Sequence, residues 1–116
     1  MSTLVYINPL KPGKLEDYQA FTAINTGPRK AEYADMLKRY GLKGAKAFYH
    51  KFGPQEFIVV THETEEEQVS ANRAAEILAE FAASTHPYDQ WFVEQLNDLH
   101  DWEQAGIAQP LLDFTV

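Results

Sequence analysis

Leu42 to Phe52 (LKGAKAFYHKF) and Gln55 to Thr64 (QEFIVVTHET) are joined by Gly53-Pro54, and the way these segments pair decides the fold. Both are rich in aromatic and β-branched residues and have the two-residue spacing of strands, and the short Gly-Pro link makes them a hairpin. With a two- or four-residue loop, paired residue numbers sum to 107. Phe48, His50, Phe52, Phe57, Val59 and Thr61 then share one face, and Ala45, Ala47, Tyr49, Ile58, Val60 and His62 share the other. Both faces are largely apolar, so both are expected to be covered.

Upstream of the hairpin, Thr3 to Asn8 reads as a strand closed by Pro9, Pro12 and Gly13. Leu15, Tyr18, Phe21 and Ile24 then recur at helical spacing from about Gly13 to Asn25. Gly27-Pro28 interrupts this helix, which restarts with Pro28 in its first turn. Ala34, Leu37 and Tyr40 continue the apolar stripe up to Gly41, a natural left-handed cap. Downstream, Thr64-Glu65-Glu66-Glu67 has the form of a capping box. Val69, Ala74, Ile77, Leu78 and Phe81 should face inward from the helix that follows. Ser84-Thr85-His86-Pro87 starts a last helix, whose buried face is Trp91 or Phe92, Leu96 and Leu99. Gly106 ends the helical region, and Leu111 to Val116 is expected to form a final strand.

The fold class is therefore α+β, in the order strand, helix, strand, strand, helix, strand, with residues 1–116 forming a single domain. In such a β-α-β-β-α-β unit the helices lie on one face of an antiparallel sheet. The opposite face is apolar here, and a second copy is the symmetric way to cover it. The expected partner is thus the chain itself, as a homodimer.

Composition narrows the function classes. Seventeen acidic residues against ten basic ones give a net charge of -7, which disfavours nucleic acid and membrane surfaces as partners. No cysteine is present, so disulfides, thiolate metal sites and cysteine nucleophiles are excluded. The start of the chain enters a strand with no basic leader or long apolar segment, and a cytoplasmic location is expected. Aromatic residues, at 13%, can supply extensive core or pocket wall.

The element order, the Lys11-Pro12-Gly13 start of the first helix and the hairpin segment Ala47-Phe48-Tyr49-His50 together resemble the dimeric α/β-barrel proteins. The likeness covers nearly the whole chain and is one of pattern, without an invariant catalytic signature. It implies paired ferredoxin-like sheets enclosing a small-molecule cavity. The family includes antibiotic-biosynthesis monooxygenases, haem-degrading oxygenases and polyketide cyclases, so fold alone does not give the chemistry. Asn8 matches the first-strand Asn of the haem-degrading members, but this chain has no strand Trp. Ser84-Thr85-His86-Pro87 is similar, with one residue inserted, to the Ser-His-Pro helix start of tetracenomycin-type polyketide cyclases.

His50 is the leading acid/base candidate, set among Phe48, Phe52, Phe57 and Val59, with Tyr49 as a further pocket residue and Tyr6 and Asn8 as partners on the first strand. A half-exposed strand histidine and a turn asparagine are the plain alternatives for His50 and Asn8. His50 and His62 fall on opposite faces, and the histidines lack metal-ligand spacing, so no metal and no cofactor are expected. His86, before Pro87, reads as a cap. Three functions stay open: a homodimeric binder of a small apolar or aromatic molecule, a cofactor-independent monooxygenase or cyclase, and a non-catalytic self-association or accessory domain.

Overall fold

A computed structural model describes residues 2–65 and 71–116, excluding the side chains of Ala71 and Asn72. The elements run β1 (Ser2–Pro9), α1 (Leu15–Thr26), α2 (Lys30–Arg39), β2 (Leu42–Phe52), β3 (Gln55–Thr64), α3 (Ala71–Ala82), α4 (Pro87–Leu99), a 3₁₀ turn (Trp102–Gln104) and β4 (Gly106–Ile107). The strands form one open antiparallel sheet in the order β2-β3-β1-β4. Glu66 and Glu67 of the expected capping box, and Val69, lie outside the described residues.

The hairpin has the expected register. Ala45 pairs with His62, Phe48 with Val59, His50 with Phe57 and Phe52 with Gln55, leaving Gly53-Pro54 as a two-residue loop. Gly53 has φ +57°, the positive value that tight hairpin turns require of their first central residue. Gly41 ends α2 with φ +73°, in the left-handed region expected of it.

β3 also pairs with β1, Tyr6 opposite Val60 and Ile7 opposite Val59. Side chains alternate along a strand, so this second register extends both faces across the sheet. Leu4, Tyr6, Ile58, Val60 and Ala45 face the helices, and both hydrophobic clusters lie on that side. Val5, Ile7, Phe57, Val59, Phe48 and Phe52 face the other way. Phe48 is 55% and Phe52 75% exposed there.

The broken helix is two helices. α1 buries Tyr18, Phe21 and Asn25, and α2 buries Met36 and Leu37, with Tyr33 and Tyr40 partly buried beside them. Ala34, expected inside, is exposed because the inward stripe of α2 runs one position earlier, through Tyr33. On α3, Ala74 and Ile77 are buried, whereas Leu78 and, on α1, Ile24 are substantially exposed. α4 starts with Pro87 in its first turn, and the His86 ring accepts the Tyr88 N–H, as its place before proline suggested.

The expected strand at Leu111–Val116 is not formed. The last strand is Gly106–Ile107, against Tyr6 and Ile7, and Ala108 adds one N–H bond to the Val5 carbonyl. Pro110 has no N–H to continue that ladder. Leu111, Leu112 and Phe114 are left 94%, 84% and 77% exposed.

One carboxylate ties the helices together. Asp89, completely buried near the start of α4, accepts both guanidinium N–H groups of Arg39 at 2.8 and 2.7 Å, Tyr40 Oη at 2.9 Å and Ser84 Oγ at 2.7 Å. It thereby fixes the end of α2 to the turn before α4. Burial alone would raise its pKa, but the hydrogen bonds from Arg39, Ser84 and Tyr40 prevail and hold it at about 2. This contribution to stability is complete above the unfolded carboxyl value near 4 and is lost as pH falls from there through about 2. Asp89→Asn should lower unfolding free energy by about 3 kcal/mol in urea titrations at pH 7, because Arg39 loses its buried bidentate partner and keeps only the exposed Asp35. The deficit should shrink below pH 4, and an unchanged midpoint at pH 7 would contradict the clamp.

Candidate functional site

Between the helix-facing side of the sheet and the four helices lies a cavity of about 800 Å³. Tyr6 and Asn8 of β1, Ala45, Ala47 and Tyr49 of β2, and Ile58, Val60 and His62 of β3 form its floor. Tyr18, Phe21 and Asn25 of α1 and Tyr33, Met36 and Tyr40 of α2 line one part of the roof. Ile77 and Phe81 of α3 and Phe92 and Leu96 of α4 line another, with His100, Trp102 and Ile107 at the end leading to β4.

Phe92 organises the roof. Its ring meets Phe21 edge-on at 4.8 Å, stacks on Tyr33 at 5.8 Å and meets Phe81 at 5.6 Å. These are the offset and edge-to-face geometries that aromatic quadrupoles favour. The Tyr88 hydroxyl donates to Asn25 Oδ1, and the Asn25 amide donates to the Phe21 carbonyl at 3.1 Å, so the buried asparagine holds α4 against α1.

Three buried polar atoms on wall residues lack a hydrogen-bond partner: Tyr6 Oη, His62 Nδ1 and His100 Nε2. A buried polar atom left unpaired costs about 1–3 kcal/mol. His62 lies opposite Leu4 and His100 opposite Leu10, so the three fall at two ends of the cavity, about 20 Å apart along β1. Tyr6 and His62 are neighbours, with ring centroids 5.4 Å apart. Burial pushes the Tyr6 hydroxyl up to about 12, against a small opposing effect of Arg73, and pushes His62 down to about 4. At neutral pH both are therefore uncharged.

His100 Nδ1 lies 3.2 Å from the Pro9 carbonyl. A carbonyl only accepts, so Nδ1 carries the proton and Nε2 is a bare acceptor. Burial pushes the His100 pKa down, and the bond to Pro9 partly offsets this. Apart from the histidines, Lys46 is the lone ionisable Lys, Arg, Asp or Glu among the described wall residues, so the cavity suits an uncharged occupant. Among the described residues, no three His, Asp or Glu side chains gather as a metal ion would need.

The residues singled out from sequence divide between the two faces. Tyr6, Asn8 and Tyr49 are on the cavity side. His50, Phe52, Phe57 and Val59 are on the opposite face, and His50 is exposed there. Phe48 borders the cavity, but its place in the register assigns its ring to the outer face. His50 thus cannot act together with Tyr6 and Asn8 inside one subunit. The expectation placed the pocket on the phenylalanine-rich side, whereas the cavity lies on the helix-facing side with alanines and aliphatics, where small side chains leave room, and it is open where Ala47 and Tyr49 are exposed. His62 and His100 take the position expected of His50. His62 could have been found by pairing β1 with β3, which sets it beside Tyr6. His100 carried no sequence signal, since its role depends on where the chain turns after α4.

No protein-family model and no curated protein matches this chain. No helix among the described residues is long and apolar enough to cross a membrane.

Histidine titration followed by NMR tests the dry environment of the site. The His62 ring should titrate near pH 4 instead of the ordinary 6.5. Because the folded value is depressed, protonation of the unfolded chain should erode stability as pH falls from about 6.5 to about 4. A midpoint at 6.5 would mean that water reaches the ring freely.

Proposed function

We propose that the protein is a homodimer of ferredoxin-like subunits, each binding one small, uncharged aromatic molecule in the cavity between sheet and helices. The observation that carries this reading is the adjacent unpaired pair Tyr6 Oη and His62 Nδ1 on the wall of a largely apolar, aromatic-roofed cavity, with unpaired His100 Nε2 at its other end. Pockets of 300–1,000 Å³ with apolar walls and a few polar groups are the usual form of small-molecule sites. An occupant carrying hydroxyl or carbonyl groups would relieve the unpaired atoms after small side-chain adjustments, while its rings would pack against Phe92, Tyr33 and Phe21.

The ferredoxin-like description is supported by the strand order β4-β1-β3-β2, with helices following β1 and β3 on one side of the sheet. Dimerisation is supported by the outer face. Phe48, Phe52 and Ile7 are exposed beside Val5, Phe57 and Val59, an apolar surface that a second copy would bury.

The same buried atoms favour a second reading, a cofactor-independent enzyme of the ring-closing or oxygenating kind. In it Tyr6 would donate a hydrogen bond to a substrate oxygen, and neutral His62 would hold or relay a proton. Turnover would then fail in Tyr6→Phe and survive in His50→Ala.

Binding of N-phenyl-1-naphthylamine, a neutral fluorescent aromatic amine, tests the principal reading. Saturable binding of one molecule per chain is expected. Ala45→Leu with Ala47→Leu, which narrows the cavity from its floor, should weaken it at least about tenfold, or 1.4 kcal/mol. Phe52→Asp on the outer face should leave it intact. Binding that ignores the floor substitutions and is lost with Phe52→Asp would overturn the assignment.

A further inference from the structure

The segment that ends this chain carries apolar side chains that its own subunit cannot cover. Beyond β4 the last backbone bond to the sheet runs from Ala108 to Val5. Extending that register sets Leu111 opposite Ser2, the first residue of β1, with Pro110 unable to donate on the way. Residues from Leu112 onward therefore run past Ser2, the first described residue of β1. Leu111, Leu112 and Phe114 are 94%, 84% and 77% exposed, and Val116 is fully so.

Leu111-Leu112-Asp113-Phe114-Thr115-Val116 contains neither Gly nor Pro, and in an extended conformation Leu112, Phe114 and Val116 share one side. That makes it a competent strand with one apolar face and nothing to pair with. A matching surface exists elsewhere on the same chain. β2 is an edge strand, so one row of its backbone groups is open to pairing. It presents Phe48 and Phe52 on the outer face and carries Lys43, Lys46 and Lys51 with no carboxylate. Lys43 pairs with Glu65, while Lys46 and Lys51 make no ion pair among the described residues. The arm has Asp113 and no cation. In a chain of net charge -7, Lys51 on the edge strand, without an ion pair among the described residues, is a charge match for the arm's one carboxylate.

We propose that residues Leu111–Val116 of one copy add as a strand to the free edge of β2 in a second copy, with the exchange made reciprocally about a two-fold axis. Leu112, Phe114 and Val116 pack toward the partner's Phe48 and Phe52, and Asp113, on the other side of the arm, lies near the partner's Lys51, which alternation sets on the opposite face of β2 from Phe52. Main-chain hydrogen bonds supply affinity, and the alternating side chains supply register. The inference rests on the homodimer reading and adds to it the segment that joins the copies.

The test compares the full chain with one ending at Pro110 by sedimentation equilibrium. The arm is exposed and pairs with no strand among the described residues, so truncation should leave the circular dichroism spectrum unchanged while weakening self-association at least about tenfold. Because the chain has no cysteine, Asp113→Cys and Lys51→Cys can be made in separate copies and mixed with a bifunctional maleimide. A covalent dimer that forms in the mixture, but in neither variant alone, is the expected result. A full chain that dimerises equally well without the arm, with no such cross-link, would overturn the arm and leave the dimer standing. A monomeric full chain would overturn both. Cross-linking confined to single chains carrying both substitutions would place the arm on its own β2 and likewise contradict the exchange.

Discussion

β3 lies between β1 and β2, and its register with both decides which side chains meet the helices. The strand period is two, so a slip of one residue against β1 would turn Tyr6, Leu4 and Asn8 outward and bring Val5 and Ile7 inward. As it stands, the inward set on β2 is Ala45, Ala47 and Tyr49, short residues followed by one long one. Facing the helices, this set leaves open space, and the cavity lies over it. The outward set is the phenylalanine-rich one, which leaves the chain with a covered, hollow side and an uncovered, apolar side. Both proposals, ligand within and second copy without, follow from that one register.

The roof needs its own anchor, because aromatic packing is non-directional enough to permit sliding. Asp89 supplies it with hydrogen bonds from Arg39, Tyr40 and Ser84, and Asn25 adds a second tie through Tyr88. Arg29 lies over the rings of Tyr88 and Trp91 at 4.8 and 4.3 Å and closes the same region from outside. With the helices fixed in this way, the space under Phe92 is not filled by collapse. The walls can then hold unpaired polar atoms whose cost an occupant would remove.

Local signals made much of the fold legible from sequence. Gly53-Pro54 specified the hairpin, Gly41 the end of α2, and His86-Pro87 the start of α4, each through backbone chemistry confined to a few residues. What stayed hidden depended on contacts between segments distant in sequence. The pairing of β1 with β3, which sets Tyr6 beside His62, is invisible to periodicity, and without it His50 looked like the natural companion of Tyr6. Bulky aromatics pointed to the Phe48 and Phe52 side for the pocket, whereas the cavity lies on the side where β2 carries Ala45 and Ala47. Leu111–Val116 has the composition of a strand, yet after Pro110 it pairs with no strand among the described residues of its subunit. A propensity was recognised there, and the missing element was its neighbour.

The central claim is that the hollow side of the sheet is the binding side. It is tested most directly by isotope-filtered NMR on the protein with bound 2-naphthol, a neutral aromatic alcohol. The account predicts nuclear Overhauser contacts from the naphthol protons to Tyr6, Val60 and Phe92. Contacts confined to Phe52, Phe57 and Val59 would contradict it and return the site to the outer face.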